Sequence, residues 1–125
     1  MLIGAGYTDR FLTEDEARAI FAQGLAQIET AGKRLLFIIP DSTRSGPFSF
    51  CFRAITDLLL GRAAQVDFLI ALGTHLAMDE AKICQHLGIT LEERRGRYAQ
   101  VGLYNHDWQS ALCELGVIPA DEIAA

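Results

Sequence analysis

Two nearly continuous apolar runs dominate the pattern of hydrophobic and polar positions along the chain. They span residues 35–39 and 66–72, and a proline or a glycine follows each of them. Short apolar runs rich in strand-forming residues are typical of strands buried on both faces of a parallel sheet. Residues 100–104 predict a third, shorter strand, and residues 112–118 predict a fourth.

Apolar residues at helical spacing lie between these runs. Residues 13–32, 48–60 and 79–88 carry apolar positions three or four residues apart, which predicts a helix in each segment. A capping box pairs a threonine with a glutamate three residues later and satisfies free amides at a helix start. This pattern occurs at Thr13 and again at Thr90, where it predicts a further short helix.

The alternation of helices and strands predicts the fold class. It favours an α/β domain with a mostly parallel, Rossmann-like sheet in three layers, with helices on both faces. The 125 residues, half of them hydrophobic, fit a single domain over residues 1–125. Residues 1–12 form a poorly defined lead-in to that domain.

Charge and cysteine content restrict the class of protein. The net charge is −5 and no basic stripe is present, so we expect no nucleic-acid partner. No signal peptide and no apolar run of membrane-spanning length is visible, which favours a cytoplasmic protein without a membrane partner. Cys51, Cys84 and Cys113 lie in apolar surroundings outside any CxxC pattern, and we expect them in the core as reduced thiols.

Polar segments follow the first three predicted strands, at residues 41–44, 73–75 and 105–107. Ligands of open α/β sheets bind at the carboxyl ends of the strands, so these segments are expected along one edge. Arg44 can bind a carboxylate or a phosphate with two parallel hydrogen bonds. Asp41 can orient Arg44 or a neighbouring histidine. His75 suits proton transfer because histidine titrates near neutral pH.

Each of these segments also has a purely structural interpretation. Residues 41–47 can form an ordinary turn that leaves Arg44 in solvent. His75 can be a loop histidine satisfied by backbone groups. Residues 105–108 can form a turn that packs Trp108 over the sheet edge, so the roles of His106 and Trp108 stay open.

Sharper catalytic motifs are incomplete in this sequence. Ser42, His75 and Asp107 could form a triad, but Ser42 lacks the glycine elbow of such nucleophiles. The Gly4-Ala-Gly6 segment has no third glycine for a dinucleotide fingerprint. The three histidines fix no metal geometry, and His86 is expected to be solvated on a helix.

The segments Ile39–Arg44, Ala71–His75 and Asn105–Trp108 are similar in order and spacing to motifs of the lactate-racemase-like family. The Asp-x-Thr-Arg and Gly-Thr-His motifs, roughly thirty residues apart, form a fairly specific pair. The resemblance covers nearly the whole chain from about Leu12. It implies an N-terminal α/β domain that faces a second domain across a cleft.

The resemblance implies an isomerase. Characterised members use a nickel-pincer nucleotide to racemise or epimerise small 2-hydroxy acids. Carried over by motif, His75 removes the hydroxyl proton while a hydride passes to the cofactor. Arg44 binds the negative charge of the substrate or cofactor, and Asp41 orients these catalytic side chains. The expected cofactor contacts are Thr43, Gly73 and Thr74.

The resemblance also implies what this chain lacks. The lysine that tethers the cofactor, the nickel-ligating histidine and the second acid/base histidine are expected after Ala125, in the C-terminal domain. We therefore expect this chain to hold no metal, to be inactive without that partner domain and to be capable of self-association through uncovered apolar surface. Ser45 and Leu76 stand where the family motifs often have proline.

Two alternatives to racemisation stay open. The enzyme can catalyse a different epimerisation or a dehydrogenation. The chain can instead be an anion- or nucleotide-binding α/β module that uses Arg44 without catalysis.

Overall fold

Parallel strands form the sheet at the centre of the protein. The computed structural model describes residues 2–123. Within that range the sheet contains β1 (Arg34–Pro40), β2 (Gln65–Ala71) and β3 (Gly102–Asn105). The strands are parallel and lie in the order β1-β2-β3, so β2 has a hydrogen-bonded neighbour on each side. The α/β class and the parallel sheet predicted from the apolar runs are confirmed.

Helices precede and connect the strands. Those of the described range are α1 (Glu14–Ala26), α2 (Phe48–Leu59), α3 (Glu80–Leu87), α4 (Leu91–Arg95) and α5 (Ala120–Ile123). Both predicted capping boxes are present, at Thr13 before α1 and at Thr90 before α4. None of these helices has the length and apolar character needed to cross a bilayer.

Gly88 ends α3 and brings it close to α2. Its φ of +63° lies in the left-handed region, which glycine enters without the steric cost that a Cβ imposes. A Cβ built at this position would lie 2.2 Å from Oγ of Ser49 on α2. Glycine is therefore needed at position 88 both for the turn and for the packing of α2 against α3.

The hydrophobic core lies between one face of the sheet and α1, α2 and α3. Phe68 of β2 is at its centre, with ring centroids 5.2 Å from Phe37 on β1 and 5.0 Å from Phe52 on α2. Tyr98, which is fully buried, packs edge-on against Phe52 at 4.9 Å. Burial of these rings is the main stabilisation of the sheet against the helices.

The opposite face of the sheet differs from the predicted three-layer arrangement. Leu36 and Ile38 of β1 are 57% and 68% exposed, and Tyr104 of β3 is also exposed. Residues 2–123 therefore contribute helices to one face and leave an apolar surface on the other. Residues 35–39 are all apolar, so the side chains on both faces of this strand were expected to be buried. The sequence of one strand does not show whether another element covers each face of the sheet.

Two local predictions were wrong. Residues 112–118 have no regular secondary structure and expose Leu115 and Val117, because strand-forming residues form a strand only where a neighbouring strand accepts them. Cys113 lies in the same segment and is exposed, whereas Cys84 is buried and Cys51 is half-buried.

Truncation of the central aromatic residue should destabilise the fold strongly. Phe68 is 1% exposed, whereas Phe11 is 96% exposed, so the two phenylalanines form a matched pair. We expect Phe68→Ala to lower the free energy of unfolding by about 3–5 kcal/mol, and Phe11→Ala to change it by less than about 0.5 kcal/mol. Urea titration followed by circular dichroism measures both. Equal effects of the two substitutions would contradict the core described above.

Candidate active site

The parallel pairing of β1 and β2 brings two polar loops together. Pro40, the last residue of β1, is in register with Ala71, the last residue of β2. The segments that follow, residues 41–44 and 72–75, therefore begin side by side at the carboxyl edge of the sheet. Oδ2 of Asp41 lies 2.5 Å from Nδ1 of His75, which joins the two loops directly.

Asp41 is the buried member of this pair. The residue is 5% exposed, and its Oδ1 accepts hydrogen bonds from the backbone N–H (3.0 Å) and the hydroxyl (2.5 Å) of Thr43. Hydrogen bonds from the Thr43 side chain and then from His75 lower the pKa of Asp41 to about 2, although burial acts in the opposite direction. Asp41 is thus a carboxylate at neutral pH, with donors on both oxygens.

His75 is the exposed member. A turn places it, because its backbone N–H donates to the carbonyl of Leu72 at 2.9 Å and Gly73 adopts a left-handed φ of +59°. A carboxylate cannot donate a hydrogen bond, so the proton of the Asp41–His75 contact belongs to Nδ1 of the imidazole. In the neutral ring, Nε2 then carries a lone pair and can accept a proton.

Arg44 lies on the same loop as Asp41 but forms no hydrogen bond with His75 within residues 2–123. Its backbone N–H donates to the carbonyl of Asp41 at 3.2 Å, and the residue is exposed. Among residues 2–123 its guanidinium has neither a hydrogen-bond partner nor an ion-pair partner. Asp41 therefore orients His75 and not Arg44, and Arg44 is left free to bind an anion. Thr74 is likewise exposed beside His75.

The third polar segment supports the site through the backbone. The side chain of Asn105 accepts a hydrogen bond from the N–H of Met78 (3.0 Å) and donates one to the carbonyl of Met78 (2.8 Å). The N–H of His106 donates to the carbonyl of Ile70 at 3.0 Å. The last residue of β3 and the residue after it thereby hold the chain on both sides of the His75 loop.

The Ser42–His75–Asp107 triad is not formed. The carboxylate beside His75 belongs to Asp41, whereas Asp107 accepts hydrogen bonds from Ser110 and from the N–H of Gln109 in its own turn. Asp107 therefore stabilises a local turn, as the structural interpretation of this segment predicted.

His86 has a role that its sequence position did not reveal. Nε2 of His86 lies 3.0 Å from the carbonyl oxygen of Pro40, and its ring packs 4.7 Å from the ring of Phe48. The expectation of a solvated histidine was wrong, because α3 packs beside the end of β1. His86 holds the backbone immediately before Asp41. No local pattern in the sequence marks this long-range contact.

A cavity of about 290 Å³ adjoins the histidine. His75 lines it together with residues 76–77 and 105–109. The part of the chain that the structure describes holds no group of three His, Cys, Asp or Glu side chains placed to ligate a metal ion. The site is therefore a histidine–carboxylate pair whose histidine lines a cavity, with an exposed arginine on the loop that carries the carboxylate.

The amino-acid sequence matches the lactate racemase N-terminal domain family over residues 13–122. This chain belongs to that family. The lactate racemase N-terminal domain is also similar to the crystal structure of a protein from Thermotoga maritima, with a TM-score of 0.75 and 26% sequence identity. That similarity covers 90% of this chain and fits the predicted Rossmann-like arrangement. No curated protein matches the sequence.

The Thermotoga maritima chain is much longer than the chain described here. The lactate racemase N-terminal domain spans 26% of the chain of the Thermotoga maritima structure. A domain with this fold therefore occurs within a chain several times its length.

The depressed pKa of Asp41 predicts an acid-dependent loss of stability. A carboxyl group whose folded-state pKa lies below its unfolded value stabilises the fold above the unfolded pKa. That stabilisation is lost as the pH falls from about 4 towards about 2. We expect the unfolding midpoint of the wild type to exceed that of Asp41→Asn at pH 5, and the difference to shrink steadily as the pH falls from about 4 through about 2. Urea titrations over this range measure it, and a constant difference would contradict the assignment.

Proposed function

We propose that this chain is the N-terminal domain of a two-domain isomerase that racemises or epimerises small 2-hydroxy acids. The observation that carries the proposal is the hydrogen bond between Asp41 and His75, which leaves Nε2 of an exposed histidine free for proton transfer. Membership of the lactate racemase N-terminal domain family supports the choice of reaction.

His75 acts as the acid/base group in this proposal. Nε2 takes the proton of the substrate's 2-hydroxyl group as the C2–H bond breaks, and the hydride would pass to the acceptor that the cofactor supplies, which leaves a 2-keto acid. Return of the hydride to the opposite face of C2 would invert the configuration, with a proton returned to the oxygen by His75 or by the second acid/base histidine of the C-terminal domain. Asp41 keeps Nδ1 protonated and stabilises the positive imidazolium that forms in between. Because Asp41 is itself ionised and held by Thr43, the pair is organised before substrate binds.

Arg44 binds the substrate carboxylate in this proposal. Its guanidinium is unpaired in the described part of the chain and projects from the loop that also carries Asp41. A guanidinium binds a carboxylate with two parallel hydrogen bonds, which fixes the orientation of the acid as well as its charge. Anchoring at the carboxylate places the neighbouring 2-hydroxyl group at a reproducible distance from the histidine.

The cofactor we propose is the nickel-pincer nucleotide, which supplies a hydride acceptor when it is bound. The described residues do not fit its metal, because they provide no cluster of nickel ligands. We assign the nickel ligands and the tethering lysine to the C-terminal domain, the partner of this chain. Thr43, Gly73 and Thr74 lie beside the pair and are the contacts proposed for the cofactor. The unpaired cysteines support a reducing, cytoplasmic location.

Loss of the histidine should slow turnover strongly without unfolding the protein. We expect His75→Ala in the two-domain enzyme to lower kcat for racemisation at least about a hundredfold, because general acid/base catalysis contributes factors of this size. Asp41→Asn should also lower kcat, since it removes the negative charge and introduces an amide N–H that can donate to Nδ1 and favour the other tautomer. Racemisation is followed by chiral chromatography, and thermal unfolding confirms the fold of each variant. Unchanged turnover in His75→Ala would exclude this mechanism.

Loss of the arginine should affect substrate binding first. We expect Arg44→Ala to raise KM by about 10- to 100-fold, equivalent to a lost charge-assisted hydrogen bond of about 1.5–3 kcal/mol. Arg62→Ala is the matched control, because Arg62 is also exposed but precedes β2 at the other end of the sheet. Equal KM values for the two variants would contradict the role of Arg44. Anion binding that depends on Arg44 but accompanies no turnover would favour the binding module.

A further inference from the structure

The cavity beside His75 has one mainly apolar wall. Leu72, which is buried, lines it together with Leu76, Ala77 and Trp108. Leu76 is 91% exposed although it directly follows His75, so a large aliphatic side chain stands in solvent next to the acid/base group. An exposed leucine of this kind is common on protein surfaces, but here it is part of a concave wall.

Two of the polar side chains that line the cavity are already engaged. The amide of Asn105 is bonded to both backbone groups of Met78, and the carboxylate of Asp107 accepts hydrogen bonds within its own turn. His106 and Gln109 remain as polar lining. The cavity therefore offers few free polar groups and an apolar surface large enough to bind a hydrocarbon group.

We propose that this cavity binds the side chain of the 2-hydroxy acid, and that this side chain is apolar and considerably larger than the methyl group of lactate. The assignment rests on the proposed function, since it places the reacting carbon beside His75. Leu76 and Trp108 are the residues that determine the specificity. The occupant is thus a branched aliphatic or aromatic 2-hydroxy acid.

The volume of the cavity decides between large and small side chains. A methyl group occupies a volume comparable with that of one water molecule, about 30 Å³. A cavity of about 290 Å³ has room for a methyl group and for several further carbons. An apolar cavity lined by leucine and tryptophan binds hydrocarbon more favourably than water, so each added methylene should strengthen binding.

Binding to the chain can be followed directly. Trp108 is the single tryptophan of the sequence and lines the cavity, so its fluorescence reports occupancy. The probes are lactate, 2-hydroxy-4-methylpentanoate and 2-hydroxysuccinate, which carry a small, a branched apolar and a charged side chain. We expect half-saturation by the branched acid at a concentration at least about tenfold below that of lactate, because three added carbons are buried.

The matched variants are Leu76→Ala and Leu115→Ala. Both leucines are exposed, but Leu115 lies outside the cavity. Leu76→Ala should reduce the preference for the branched acid by about three- to tenfold, whereas Leu115→Ala should leave it unchanged. Racemisation of the same acids by the two-domain enzyme, measured in parallel, tests the proposed function separately.

The outcomes test the assignment of the cavity separately from the proposed racemase function. Equal binding of lactate and the branched acid, or tighter binding of 2-hydroxysuccinate, overturns the assignment of the cavity even if the enzyme racemises lactate. An unchanged preference in Leu76→Ala also overturns it. Selective binding of the branched acid without turnover of any of the three acids supports the assignment of the cavity and counts against the proposed function.

Discussion

The contact between Asp41 and His75 is the interaction on which the site depends. It joins the loops after two neighbouring strands at 2.5 Å and determines which imidazole nitrogen is free. A buried carboxylate is costly unless donors satisfy it, and Asp41 has donors from Thr43 on one oxygen and from His75 on the other. The hydrogen bond thus satisfies the buried carboxylate of the loop. It also fixes the proton on Nδ1 of His75 and leaves Nε2 free.

The rest of the fold keeps these two loops in register. Parallel pairing aligns Pro40 with Ala71, and packing of Phe37 on Phe68 holds the two strands to the same core. His86 contacts the carbonyl of Pro40, which holds the backbone immediately before the carboxylate. A change in the core or in α3 can therefore alter the site without touching either reacting group.

The sequence predicts the elements of this arrangement better than their surroundings. The apolar runs of β1 and β2 and the capping boxes at Thr13 and Thr90 are local patterns, and the structure contains all of them. Asp41 and His75 could be identified because residues that follow parallel strands meet at one edge of the sheet. Their contact was one of two options that the sequence left open for Asp41.

What the sequence did not predict depends on contacts between distant segments. Nothing local to Ile38 says whether a second layer covers it, and the apolar run at 112–118 has no neighbouring strand to join. His86 looks like any helical surface histidine until α3 is packed beside the end of β1. In each case the deciding information is the position of another element of the fold.

The tautomer of His75 shows whether Asp41 leaves Nε2 free to accept a proton. Nitrogen-15 NMR of the imidazole, recorded at a pH where the ring is neutral, distinguishes the protonated nitrogen from the one that carries the lone pair. We predict that Nδ1 of His75 bears the proton and Nε2 does not, and that Asp41→Asn removes this preference. A ring protonated on Nε2 in the wild type, or a tautomer unaffected by Asp41→Asn, would contradict it.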